Sequence, residues 1–321
     1  MFNTVTVFMS TYNGEKYLRE QIDSIIRQKD VKVSLWIRDD GSVDETLEIL
    51  SEYEAQYSNI HVKYGESKGV GMSFMQLLYE ATEVTDFYAF SDQDDIWDED
   101  KLIAAMIKLR KEGDKPRLYA CNQRCVDSDG LFISNRFPDH FPEQRLINEL
   151  FCNLYAGCTM VFNQAFKDML CAPQRRPELE FFQHRIHDAW LACVATSMDA
   201  LIYDPECHMS FRRHNSNVSD SEITRYHHFN IKTQGALYLA KIKRRICKRN
   251  NKDHGVEFTA RYLLEGYDDF LANDVKEILF MVRDYRYSIR NKFKLLFGPA
   301  MKYAAPEKIL DHKIKVIINK L

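Results

Sequence analysis

No apolar run in these 321 residues approaches the roughly 18 residues that a membrane-spanning helix needs. The N-terminus likewise lacks a charged region followed by a long apolar stretch and a cleavage site. These absences predict a cytoplasmic protein. Eight cysteines are present, Cys121, Cys125, Cys152, Cys158, Cys171, Cys193, Cys207 and Cys247, but no paired C-x-x-C clusters with zinc spacing, so they read as reduced core or surface residues. There is no internal repeat and no low-complexity segment. The first apolar run leads into MSTYNGE (9–15) rather than G-x-G-x-x-G, which argues against a nicotinamide dehydrogenase on a related sheet.

What is there is a globular composition, 45% apolar and 28% charged, with enough length for one large α/β domain and a smaller appendage. The net charge of −3 hides an asymmetry. Residues 1–220 carry 23 basic and 36 acidic side chains, whereas 221–321 carry 21 and 11. An acidic N-terminal part is a poor nucleic-acid binder but suits a metal-dependent site. A basic tail with interspersed apolar residues suits an anionic membrane surface.

Periodicity organises the first part. TVTVFMS (4–10) reads as a strand, and Leu18, Ile22, Ile25 and Ile26 fall on one helical face. VSLWIR (33–38) is a second strand, after which Ser42 and Glu45 form a capping-box pattern opening a helix with Leu47 and Leu50. Residues 59–64 and 86–91 are further strands, separated by a helix carrying Phe74, Leu77 and Leu78. A helix over 100–111 and a strand over 117–121 complete an alternation that predicts a doubly wound, mostly parallel, Rossmann-like α/β sheet. Residues 127–148 read as an acceptor-facing loop, 151–162 as a buried strand region, 187–198 as a helix and 200–204 as a strand. Beyond about residue 222 a helical extension is expected, with basic blocks KIKRRICKR (241–249) and RYSIRNKFKLLF (286–297). The predicted division is therefore 1–221 as the catalytic domain, its halves 1–121 and 122–221, and 222–321 as a basic helical region.

The stretch FSDQDDIW (90–97) drops Asp92, Asp94 and Asp95 onto the end of an apolar strand, where open α/β sheets bind ligands. Three adjacent like charges repel unless a cation sits among them. A hard divalent ion such as Mg²⁺ or Mn²⁺ holding a diphosphate answers that need; a solvated acidic loop that starts the next helix is the plainer alternative. MSTYNGE (9–15), RDDGSVD (38–44), FSDQDD (90–95) and the His187–Asp188 pair should converge where strand ends meet. Asp188 also has an ordinary explanation as a helix-start acid, and Glu178, Glu180 and Asp204 are reserve bases.

In their joint order these segments resemble family 2 glycosyltransferases of the GT-A fold, over roughly residues 3–220. The likeness is strongest to bacterial polysaccharide rhamnosyltransferases, through IRDDGSVD, FSDQDD, HDAW and FRRHNSN. The resemblance implies an inverting, metal-dependent transferase that moves a sugar, rhamnose first among the candidates, from a dTDP or UDP donor to a cell-surface polysaccharide or lipid-linked glycan. It implies that Ser10, Thr11, Tyr12, Asn13 and Glu15 form the nucleotide pocket and that Asp40 contacts the base. Asp92 serves ribose or metal, Asp94 the metal, Asp188 is the catalytic base, His214 a metal or phosphate contact, and Arg212 or Arg213 meets the diphosphate. Two departures matter: GVGMSFMQLL (69–78) lacks the Arg-Asn pair of many relatives, and the Q-x-x-R-W signature of processive members is missing. Positive charge for the diphosphate must then come from elsewhere, and addition of one or a few sugars is expected. A catalytically silent nucleotide-sugar-binding component of an assembly complex is the rival reading. The tail is expected to reach the inner face of the plasma membrane or to form a structural lid, and a homo-oligomer is compatible with everything above.

Overall fold

The computed structural model describes residues 3–137, 144–214, 217, 255–298, 313, 316 and 317. In it the first four apolar runs become parallel strands. β1 (Asn3–Thr11) pairs with β2 (Val31–Asp39) on one side and β4 (Phe87–Ser91) on the other, while β3 (Ile60–Tyr64) flanks β2. Val5, Val7, Phe8 and Met9 of β1 are all solvent-inaccessible, as suits a parallel strand covered on both faces. The covering helices are α1 (Leu18–Ile26), α2 (Thr46–Gln56) and α3 (Val70–Glu80); Leu18, Ile22 and Ile25 supply the buried face of the first. Strand register sets where the chain leaves the sheet. Met9 lies opposite Ser91, Ser10 opposite Arg38 and Thr11 opposite Asp39, so the three polar loops emerge at one level.

The second half of the sheet is mixed. β8 (Met160–Asn163) inserts antiparallel between β4 and β6 (Leu118–Val126), and β9 (Leu201–Arg212) runs parallel to β6 and antiparallel to the short β5 (Ile96–Trp97). β7 (Phe132–Asn135) closes a hairpin on β6 within the stretch expected to be all loop. The strand expected to follow β4 directly is thus β6, one place further away. Residues 151–162 are not one strand: the chain leaves helix α5 (Leu146–Cys152), makes a one-turn 3₁₀ helix at Gly157–Thr159 and only then enters β8. β9 continues seven residues beyond the Asp204–Pro205 step because the register shifts between Cys121 and Asn122, and such a bulge accommodates a proline without a ladder hydrogen bond. Around these strands lie α4 (Lys101–Arg110), α6 (Gln164–Cys171) and α7 (His187–Ser197).

The capping box does not form. Ser42 Oγ instead donates to Asp39, and the Glu45 amide is taken by Glu15 Oε2 at 2.9 Å, so distant partners outcompete the local cap. The chain divides into two compact units, one of residues 1–141 with 153–217, the other of 142–152 with 218–321. In the second, α5 is joined by α8 (Gly255–Gly266), α9 (Asn273–Asp284) and α10 (Ile289–Phe297), with Leu263, Leu279, Val282, Tyr285 and Leu295 fully buried. The block at 241–249 lies outside the described residues. No helix among the described residues is long and apolar enough to cross a membrane.

Candidate active site

Three loops are stitched together where the parallel strands end. The amide of Asn13 donates to Ser42 Oγ (2.9 Å), and Asn13 Oδ1 accepts from Val43 (2.9 Å). Gly14 donates to Thr46 Oγ1 (2.8 Å) and Glu15 to Asp44 Oδ2 (3.2 Å). Gln93, the middle residue of the D-Q-D element, clips the first loop to the third: its Oε1 accepts from the Tyr12 amide (2.9 Å) and its Nε2 donates to the Tyr12 carbonyl (3.1 Å). Gly14 is needed for this approach, since a Cβ there would lie 2.4 Å from Gln93 Oε1. Asn13 itself adopts the left-handed conformation (φ 48°), which asparagine tolerates better than most residues. Tyr12 is left 53% exposed, so its ring is an available stacking surface.

Besides Asn13 and Glu15, whose side-chain oxygens accept from the Val43 and Glu45 amides, two more of the expected pocket residues are occupied internally. Thr11 Oγ1 donates to Asp39 Oδ2 (3.0 Å). Asp40 is buried and pairs with Arg38, while Ser67 and Ser73 hydroxyls and the amides of Lys68 and Gly69 fill its oxygens. Burial opposes its ionisation, but these donors hold its carboxyl below the usual range. A nucleobase N–H would have to displace one of them. Ser10 is half-buried at the end of β1.

The acids gather in one place. Asp92 is pushed up to about 7, chiefly by burial, then by the charges of Asp94 and Asp188. Burial also raises Asp94, with His214 pulling the other way, and burial followed by Asp92 and Asp94 raises Asp95 strongly. Asp188 stands in the first turn of α7, where its Oδ1 accepts from Asn153 Nδ2 (3.1 Å) and its Oδ2 from the Gly157 amide (3.2 Å). His214 Nε2 lies 2.8 Å from Asp94 Oδ2 and its ring packs on Tyr17, centroids 4.9 Å apart. Of the reserve bases, Asp204 is committed elsewhere, paired with Lys108 (2.9 Å) and Tyr119 (2.9 Å).

A cavity of about 680 Å³ opens beside Asp94 and His214. Of the expected site residues, Tyr12, Asn13, Asp94, Arg213 and His214 belong to its wall; Asp92 and Asp188 do not. Lys16, Tyr17, Gln93, Asp127 and Ser128 also line it, and sequence reading missed all five. Lys16 and Arg213 supply the cationic side chains absent from residues 69–78. The Y-N-G-E-K-Y spacing was the available signal for Lys16, because a turn followed by a helix start faces the ligand end of the sheet. Arg212, by contrast, is not in the wall.

The donor set fits a hard divalent cation. Carboxylate oxygens are the ligands such an ion takes, and Asp95 Oδ2, fully buried, has no hydrogen-bond partner among the described residues; the His214 imidazole is a softer donor that already meets Asp94 Oδ2. Asp92, Asp95 and the Cys158 thiol also lie with one ligand atom each within 4.8 Å of one another. Burial and the two acids push the Cys158 thiol well up, so it stays protonated and is a poor partner for a hard ion. Behind this cluster Lys101 is fully buried, its Nζ 3.8 Å from the Trp97 ring centroid and without a hydrogen bond among the described residues.

Comparisons with known proteins identify the family. The family model described as Glycosyl transferase family 2 matches residues 6–170. A dTDP-rhamnosyl transferase, RfbG of Shigella flexneri, is 45% identical over 229 residues, 67% of this chain and 75% of its own length. EpsH of Bacillus subtilis, named as a glycosyltransferase, is 26% identical over 242 residues, 69% of this chain and 67% of its own. Among solved structures, S. aureus TarS 1–349 superposes with a TM-score of 0.57 at 17% identity, over 98% of this chain and 90% of that one, which establishes a shared GT-A architecture. The chain belongs to glycosyl transferase family 2 and is a nucleotide-sugar-dependent glycosyltransferase.

Proposed function

We propose that the protein transfers a rhamnosyl group from a dTDP-linked donor to a hydroxyl of a growing cell-surface or lipid-linked glycan. The anomeric carbon is inverted, Asp188 is the base, and Asp92, Asp94 and His214 hold a Mg²⁺ or Mn²⁺ ion. The sugar and base follow the relative named as a dTDP-rhamnosyl transferase; a UDP donor is the alternative. The observation that supports the reading is the approach of His214 Nε2 to within 2.8 Å of Asp94 Oδ2, with Asp92 beside them raised by the charges of Asp94 and Asp188. Nothing supports a catalytically silent role.

In this reading Tyr12 offers its ring to the base, while Lys16 and Arg213 face the diphosphate from the cavity wall. The acceptor oxygen attacks C1, the bond from C1 to the diphosphate oxygen breaks, and the hydroxyl proton passes to Asp188. Asn153 and the Gly157 amide hold that carboxylate in place, and the N-terminal end of α7 stabilises its charge. When bound, the divalent cation supplies Lewis-acid neutralisation of the departing diphosphate.

The test is Asp188→Asn. General-base assistance is typically worth about 10²- to 10⁴-fold, so turnover should fall by at least about 100-fold while donor affinity, read by calorimetry, stays near that of the parent. Lost donor affinity at unchanged turnover would make Asp188 a binding residue instead. Rhamnosyl transfer is checked with dTDP-rhamnose and UDP-sugars in parallel.

A further inference from the structure

The adjacent arginines of the FRRHNSN segment are interchangeable candidates for the diphosphate in the sequence, and the geometry separates them. Arg213 lines the cavity. The Arg212 side chain is only 4% exposed and each nitrogen of its guanidinium has a partner. Nη2 meets Glu20 Oε2 at 2.5 Å, Nε donates to the Asp94 carbonyl at 3.2 Å, and Nη1 donates to the Ser128 carbonyl at 3.1 Å. Its plane lies over the Tyr17 ring, 4.6 Å from the centroid. The backbone is used as well: the Arg212 amide donates to Asp95 Oδ1 (3.3 Å), and its carbonyl accepts from Asn217 Nδ2 (3.0 Å), which also reaches Asp94 Oδ2 (3.4 Å).

We propose that Arg212 is a positioning residue for the acid cluster, fixing Asp94 and His214 relative to each other, and not a contact of the donor diphosphate. Four segments converge on it: α1 through Glu20, the loop after β4 through Asp94 and Asp95, the β6–β7 turn through Ser128, and β9, which leads directly to His214. Turning the guanidinium toward the cavity would break three hydrogen bonds and strand a buried charge, a loss that a diphosphate already served by Lys16 and Arg213 does not require. Holding the Asp94 carbonyl sets the direction in which the Asp94 carboxylate leaves the chain, and the neighbouring β9 end sets the imidazole. A lysine cannot do this, because one ammonium on a flexible stem lacks the planar fork that reaches acceptors in three directions.

The inference rests on the proposed metal role of Asp94 and His214, and the experiment tests the two separately. Mn²⁺ binding to the parent protein without donor is measured first by calorimetry and by the electron paramagnetic resonance signal of free Mn²⁺. Absence of binding overturns the metal reading and the inference with it. Given binding, Arg212→Lys should weaken Mn²⁺ affinity about 10- to 100-fold, the range for residues that orient metal ligands, with metal-free dTDP affinity within about twofold of the parent by the same reasoning. Unchanged Mn²⁺ affinity, or a dTDP affinity that falls while Mn²⁺ affinity holds, overturns the inference. Glu20→Ala, at a half-exposed position, repeats the test without touching the buried guanidinium. It should weaken Mn²⁺ binding in the same direction with an unchanged circular dichroism spectrum, and unchanged Mn²⁺ affinity in a folded Glu20→Ala protein overturns the inference even where Arg212→Lys does not fold.

Discussion

Next to the proposed base, His187 is buried with neither ring nitrogen hydrogen-bonded among the described residues. Its ring is wedged between Phe74, centroids 4.2 Å apart, and the edge of Phe90 at 5.0 Å. Burial pushes its pKa down from 6.5 to about 4, against a smaller upward pull from Asp188. In the unfolded chain this imidazole takes a proton near pH 6.5, whereas in the folded protein it does so only near pH 4. The unfolded state therefore binds the extra proton across that window, and stability present above pH 6.5 is lost as the pH falls toward 4, by up to about 3 kcal/mol from this group. His187→Leu removes the titration. The difference in unfolding free energy between parent and variant, measured by denaturant titration, should shift in favour of the variant as the pH is lowered from 7 to 4.5. A constant difference across that range would mean that His187 titrates normally. At this scale the acids were legible because like charges packed at a strand end demand an explanation from chemistry alone. Asp40 and Arg212 were not legible as internal anchors, because their partners come from residues 66–73, 20, 94 and 128, and no local pattern in the sequence announces such closures.

The one-turn 3₁₀ helix at Gly157–Thr159 decides where α7 presents its first turn. A Cβ at Gly157 would stand 2.6 Å from His187 Nε2 and 3.4 Å from the Asp188 Cβ. The imidazole is held between two phenylalanines, so it has little room to swing away, and the clash must be relieved by moving the backbone that donates to Asp188. Gly157→Ala should thus lower turnover by about 10-fold or more, as expected when a base loses its alignment, and destabilise by about 1–3 kcal/mol as an overpacked site does. Mn²⁺ affinity should hold, since Asp94 and His214 lie on other segments. Equal losses of turnover and Mn²⁺ affinity, measured by steady-state kinetics and calorimetry, would contradict this division of labour. Elements differed in how far they could be read ahead. β1 to β4 and their helices were visible from apolar periodicity, because both faces of a parallel strand are buried. β8 between β4 and β6, the hairpin at β7 and the full length of β9 were invisible, since an antiparallel insertion and a bulge are decided by tertiary pairing. The helix carrying Leu47 and Leu50 was expected, but it starts at Thr46 and not just after Ser42, its capping box having been replaced by the stitch between Glu15 and Glu45.

For the chain as a whole, the parallel half of the sheet followed from the sequence, and the mixed half did not. The charge asymmetry survives as a property of the whole molecule: residues 221–321 are basic while the site-bearing part is acidic. Within the helical unit, α10 buries Leu295 completely and leaves Ile289, Phe293 and Phe297 exposed at 90%, 63% and 65%. Four-residue spacing puts those three on one helical face, and Arg290, Lys292 and Lys294 flank them. A basic helix with an apolar stripe partitions into the interface of an anionic bilayer, the apolar face entering and the cations meeting headgroups. A lipid-linked acceptor would be presented at such a surface. The protein should therefore float with phosphatidylglycerol-rich vesicles at low salt, sediment with zwitterionic ones, and lose binding as the Debye length shrinks from about 30 Å at 0.01 M to 3 Å at 1 M salt. Replacing Ile289, Phe293 and Phe297 together by serine should abolish flotation while rhamnosyl transfer to a soluble acceptor persists, because none of the three lines the cavity. A parent protein that stays at the bottom of the gradient with anionic vesicles at low salt would make the stripe a packing face of the molecule itself or of a second copy.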